Sequence, residues 1–144
     1  MDETGSAGVY ALTKGEHTTK DVTRLELGRF LLYIASGNGV LTDGEVSLVN
    51  IVMNQELNAF QYKQLENQLE APNPASLLSL AGFLSGDLAL NQANGTKSTQ
   101  CTDLLIQAFE TFGNLMVAFD ENSVSKIRCV KFISGMKSYV MKNL

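Results

Sequence analysis

At 144 residues the chain has the length of one domain, enough to bury about two thirds of the surface that its unfolded form exposes. Hydrophobic residues at 44% and charged residues at 18% exclude a charged, intrinsically disordered polymer. The formal net charge of -4 is carried by scattered acids, which excludes a mimic of DNA phosphates and disfavours direct nucleic-acid binding.

Met1 to Thr18 contain Gly5, Gly8 and Gly15 among small and polar residues, so a flexible tail or linker is expected there, with Val9 to Leu12 as its one apolar cluster. No basic region leads into an apolar stretch, so no secretory signal is expected and a cytoplasmic location is. From residue 19 to residue 144 the spacing predicts a single helical domain.

The first helix should start near Thr18 or Thr19 and run to Ser36, with Leu25, Leu32 and Ala35 on its stripe. Phe30, Leu31, Tyr33 and Ile34 add apolar surface around its circumference, so it should cross the centre of the core before Gly37 ends it. Thr42 followed by Glu45 forms a capping box for a second helix, about Asp43 to Asn54, with Leu48, Val49, Val52 and Met53 inward. Asn58 and Gln61 repeat the pattern ahead of a third helix, which runs to Glu70 with Tyr62, Leu65 and Leu69 inward and is closed by Pro72.

Asn73 before Pro74 opens a fourth helix, with Leu77, Leu80, Ala81, Leu84 and Leu88 at helical spacing, ending at Asn94-Gly95. Its only charge is Asp87, and Gly82 and Gly86 stand one turn apart, which suits a central core helix or, alternatively, a partner-binding face. The fifth helix, about Ser98 to Phe119, has the stripe Leu104, Leu105, Ala108, Phe112, Leu115, Met116 and Phe119. The sixth opens at Asn122 or Ser123 and turns Val130, Ile133, Met136 and Val140 inward. No window alternates apolar and polar residues, so the expected fold is all-α: a compact antiparallel bundle of about six helices, sequential ones adjacent.

The longest uncharged run, Ala71 to Gly86, is too short and too polar to span a bilayer. Cys101 and Cys129 form no C-x-x-C pair, and two reduced, buried thiols are expected. The sole histidine, His17, has no acid or nucleophile at motif spacing, and no G-x-S-x-G, phosphate-cradling or H-E-x-x-H pattern occurs. A non-enzymatic protein without a cofactor is the expectation.

Ala35 to Glu45, ASGNGVLTDGE, places a Gly-rich turn between two helices and three polar oxygens, on Asn38, Asp43 and Glu45, where a hard cation would take them. Helix capping alone also accounts for Asp43 and Glu45. This turn resembles the helix-turn-helix signature of tellurite-resistance TerB-like domains, with Asn38, Gly39, Val40 and Glu45 at its positions. The resemblance implies an all-helical module of stress-response or phage-defence proteins, with divalent metal bound by acids at two such turns.

The second turn would fall at Ala118 to Asp120, followed by Glu121, which adds Asp120 and Glu121 to the metal candidates. Asn38 stands where the family has aspartate, and Ile127 occupies the place of the second turn's glutamate, so tight metal binding is not expected.

The last helix holds Lys126, Arg128, Lys131, Lys137 and Lys142 and no acid, with Arg128, Lys131 and Lys142 on one side. That side is either a solvated face or a docking patch for an acidic protein partner. The functional expectation is a helical protein-binding or scaffold module. The alternatives are a phage or mobile-element inhibitor of a host nuclease complex, and a metal-responsive TerB-like protein.

Overall fold

The computed structural model describes residues 19–38, 41–68, 70–119 and 122–144; the expected tail, Met1 to Thr18, lies outside them, and so does Leu69. Six α-helices are present among the described residues: α1 (Thr19–Ala35), α2 (Asp43–Met53), α3 (Ala59–Gln68), α4 (Leu78–Asn94), α5 (Gln100–Phe119) and α6 (Ser123–Asn143). Two 3₁₀ turns, Ser36–Asn38 and Pro74–Ser76, extend the chain after α1 and ahead of α4, and no strand occurs among the described residues.

The helix starts follow local chemistry. Thr42 accepts the Glu45 N–H through its side chain at 3.2 Å while the Glu45 carboxylate accepts the Thr42 N–H at 2.9 Å, the capping box expected for α2. Asn58 and Gln61 make the same reciprocal pair ahead of α3, both at 2.9 Å. Asn73 caps Pro74–Ser76 rather than α4 itself, whose first residue is Leu78. Gly95 closes α4 in the left-handed conformation, where glycine carries no Cβ penalty.

α1 is the axis of the bundle and packs against each of the other five helices. Phe30, Leu31 and Leu32 project at successive steps of about 100° around the helix and are all buried, which only a helix surrounded on most sides allows. Phe30 of α1 meets Phe109 of α5 and Phe132 of α6 with ring centroids 5.4 and 4.5 Å apart, so one aromatic cluster joins three helices. α5 passes close to this cluster because Gly113 has no side chain: a Cβ there would stand 3.1 Å from the Phe30 ring and 2.8 Å from the Cys129 sulfur. Both cysteines are buried, and neither forms a disulfide.

Several inward assignments need correction. Leu25, Leu88, Leu104, Leu115 and Phe119 are about half exposed, Val130 is 68% exposed, and Phe112 is only partly buried. The apolar arc of α5 is wider than the face that the bundle buries, so more than one stripe fits a 3.6-residue period; packing between α1, α4 and α6 selects Cys101, Leu105, Phe109 and Met116. α3 and α4 are not close neighbours: the intervening chain carries Pro72 and Pro74 across α6, where Pro74 fills the space left by Gly135. α4 takes the core reading, with Gly82, Gly86 and Asp87 all buried. No helix among the described residues is long and apolar enough to cross a membrane.

Helix ends are capped across the bundle. The Glu26 carboxylate of α1 accepts the Leu78 and Ser79 N–H groups at the start of α4, at 2.7 and 2.8 Å. Asp87, 1% exposed, accepts the Cys101 and Thr102 N–H groups at 2.8 and 3.0 Å and the Thr102 hydroxyl at 2.8 Å, all at the start of α5. A buried carboxylate is stable there because three donors and the positive end of the helix dipole replace its water.

Candidate functional site

The turn that carries the metal expectation is built for capping. Glu45 is 2% exposed and its carboxylate is turned onto the Thr42 N–H, while Asp43, the first residue of α2, is exposed. Asp120, Glu121 and the side chain of Asn38 lie outside the described residues, as do Gly39 and Val40. Among the described residues no group of three or more His, Cys, Asp or Glu side chains is close enough to hold a metal ion.

The basic face of α6 leads to a more developed site at the C-terminal end of α1. The last carbonyls of a helix lack partners within it, and α6 supplies them here: the Ser125 hydroxyl donates to the Ile34 carbonyl at 2.7 Å and Arg128 to the Tyr33 carbonyl at 2.7 Å. The same guanidinium donates to the Ser36 hydroxyl at 2.8 Å and lies over the Tyr33 ring, 4.5 Å from its centroid. Stacking and two hydrogen bonds fix the plane of Arg128, so its charge is held in place rather than on a mobile stem.

One turn back on α1, Arg29 donates to the Glu70 carbonyl at 3.0 Å and ties down the chain that leaves α3. Between these two arginines lies a cavity of about 180 Å³, with Tyr33, Glu66, Glu70 and Pro72 in its wall. It continues past Tyr33, Pro72 and Arg128 into an open depression lined by Pro74, Val124, Ile127 and Lys131. The result is one groove with an apolar floor of tyrosine, prolines and aliphatics, three cations along it, and two glutamates at one end.

The structure brings Arg128 and Lys131 together at this groove but leaves Lys142 out of it, about three turns further along α6. Arg128 is half-buried and engaged by α1, not the free surface cation that its spacing implies. Sequence reasoning missed Arg29 and Tyr33; their i, i+4 spacing on α1 is a local signal, but its meaning depends on α6 lying alongside.

The buried thiol of Cys129 sits apart, between α5 and α6. Burial pushes its titration up and the charge of Glu110 adds to the effect, so the thiolate, the reactive form, is suppressed. The groups that the groove itself presents are suited to recognition: fixed cations for carboxylates and a flat apolar floor for aliphatic or aromatic side chains. Comparison of the chain with protein-family models, with curated proteins and with solved structures gives no match.

Proposed function

We propose that the protein is a helical binding module that captures a partner segment bearing acidic next to apolar side chains in the groove between α1 and α6, and that it works by docking rather than by covalent chemistry. One observation carries this reading: Arg29, Arg128 and Lys131, from two helices of a protein with net charge -4, converge on one apolar groove. Arg128 is preorganised by its stack on Tyr33, so little side-chain entropy is lost on binding a carboxylate. The resemblance of Ala35 to Glu45 to TerB-like domains supports a module of this kind in cytoplasmic stress-response or phage-defence proteins, where the partner would be another protein.

The test is selection from a displayed peptide library with the full chain as bait, followed by titration of the enriched peptide. Asp or Glu beside Leu, Ile or Phe should be enriched, and Lys131→Glu together with Arg29→Gln should weaken binding about tenfold, or about 1.4 kcal/mol. Enrichment of sequences without acids, or affinity indifferent to both substitutions, would remove the groove from the function.

A further inference from the structure

The docking of an acidic segment leaves one feature of the cavity between Arg29 and Arg128 unexplained. Glu66 and Glu70 line it as well, so its wall carries two cations against two anions and is neutral in sum. None of the four side chains is ion-paired among the described residues. Opposite charges that line one small space without neutralising each other fit a ligand that carries both signs itself. A phosphate, which two guanidiniums alone would suit, is opposed by the two carboxylates.

Each arginine commits one nitrogen to the fold. Nη1 of Arg128 donates to both the Tyr33 carbonyl and the Ser36 hydroxyl, and Nη2 of Arg29 donates to the Glu70 carbonyl. The Nε and Nη2 donors of Arg128 therefore have no acceptor among the described residues. That edge of a guanidinium takes both oxygens of a planar carboxylate, and the stack on Tyr33 holds its plane. The rest of the wall includes the apolar surfaces of Leu32, Tyr33 and Pro72, around a volume of about 180 Å³. An apolar cavity of about 150 Å³ holds one benzene molecule, so this one suits a ligand of about six to nine non-hydrogen atoms.

We infer that this cavity binds a free α-amino acid with an aliphatic side chain, of the size of valine or leucine. Its carboxylate takes the Nε and Nη2 edge of Arg128, its ammonium is turned toward Glu66 and Glu70, and its side chain rests on Tyr33 and Pro72. Such a ligand engages two of the three cations of the groove, so it competes with the acidic partner segment. The competition rests on the docking proposed above; the binding itself does not.

The test is isothermal titration of L-leucine into the full chain, beside leucinamide, which lacks the carboxylate, and 4-methylpentanoate, which lacks the ammonium. Leucine should bind in the submillimolar range and each analogue at least about tenfold more weakly. Arg128→Lys keeps the charge without the fork and should lose about tenfold for leucine. Glu66→Gln should bring leucine down to the affinity of 4-methylpentanoate. The Glu66 side chain makes no hydrogen bond among the described residues, so this variant keeps the fold, checked by an unaltered thermal melt. The two analogues are compared on the unsubstituted chain, so their result stands even if Arg128→Lys unfolds.

No binding of leucine at millimolar concentration, equal affinity for either analogue, or inorganic phosphate bound more tightly than leucine overturns the inference. So does leucine affinity that is unchanged by Glu66→Gln. Leucine that binds with the expected selectivity but fails to displace the peptide enriched on the groove upholds the inference and counts against the docking instead.

Discussion

Replacing Asp87 by alanine removes the acceptor of two backbone N–H groups at the start of α5 and leaves the donors in place. Cys101 and Thr102 are fully buried, so water does not take over. Each orphaned donor costs about 1–3 kcal/mol, and the lost interaction with the helix dipole adds up to about 2 kcal/mol in a buried setting. The Thr102 hydroxyl retains the Thr99 carbonyl at 3.1 Å and adds little. Relief of the cost of burying a carboxylate offsets part of this sum, leaving an expected loss of about 3 kcal/mol. Asp87→Asn keeps one acceptor oxygen and should lose about half as much.

Urea unfolding is the assay: at a slope of about 2 kcal/mol/M, the midpoint of Asp87→Ala should fall by about 1.5 M. Amide exchange at Cys101 and Thr102 should quicken more than exchange at Phe109, in the middle of the same helix. A loss below about 1 kcal/mol at unchanged slope, or no change in exchange at those two amides, would refute the argument that α4 caps α5.

Phe109→Ala should cost about 3–5 kcal/mol because its ring is fully buried in the three-helix aromatic cluster, and Phe112→Ala, only partly buried, about 1 kcal/mol; equal losses in urea would contradict the packing. Thr42→Ala should cost about 1 kcal/mol, since the backbone N–H that Glu45 accepts survives the change; an unaltered melting temperature would remove the capping box from the account. The Ser79 hydroxyl is buried with no hydrogen-bond partner, so Ser79→Ala should raise stability by up to about 1 kcal/mol, and a clear loss would reveal a partner.

Burial holds both Cys129 and Tyr62 above their ordinary values of 9.0 and 10.0; Glu110 adds to the shift of Cys129, and Gln55 partly opposes that of Tyr62. The folded state therefore keeps these protons while the unfolded state releases them. Their contribution is complete below pH 9 and is lost as pH rises from there through the raised values. A urea midpoint that stays flat from pH 8 to pH 11 would contradict this, and Cys129→Ala should delay the onset of the decline.

The parts of the fold legible in the sequence are those whose cause lies within four residues. The caps at Thr42, Asn58 and Asn122 depend on side chains reaching their own helix starts, and they fold as read. Inward faces were legible where a helix has a polar side to fix the phase, as with Val49 and Val52 of α2. α5 also has a polar side, at Asp103, Gln107, Glu110 and Asn114, but its apolar arc is wider than the face that the bundle buries, so the Leu104–Leu115–Phe119 line matches the helical period as well as the buried one. Glu26 and Asp87 were illegible because their partners are 52 and 14 residues away and belong to other helices. For the same reason Lys131 could be placed on a basic face from sequence, whereas the meeting of Arg128 with Arg29 required α1 and α6 side by side.

The completion of α1 by α6 has a consequence for how the molecule is made. The carbonyl of Ile34 waits for a hydroxyl 91 residues later, and that of Tyr33 for a guanidinium 95 residues later. At about 5–20 residues per second on the ribosome, the most buried helix spends roughly 5–20 seconds in nascent chains before the groups that finish it are synthesised. Phe30, Leu31 and Ile34 are without their α6 neighbours throughout that interval. Stalled chains that end before residue 123 should therefore be the species that chaperones hold and proteases cut, and resistance should appear abruptly once α6 has emerged.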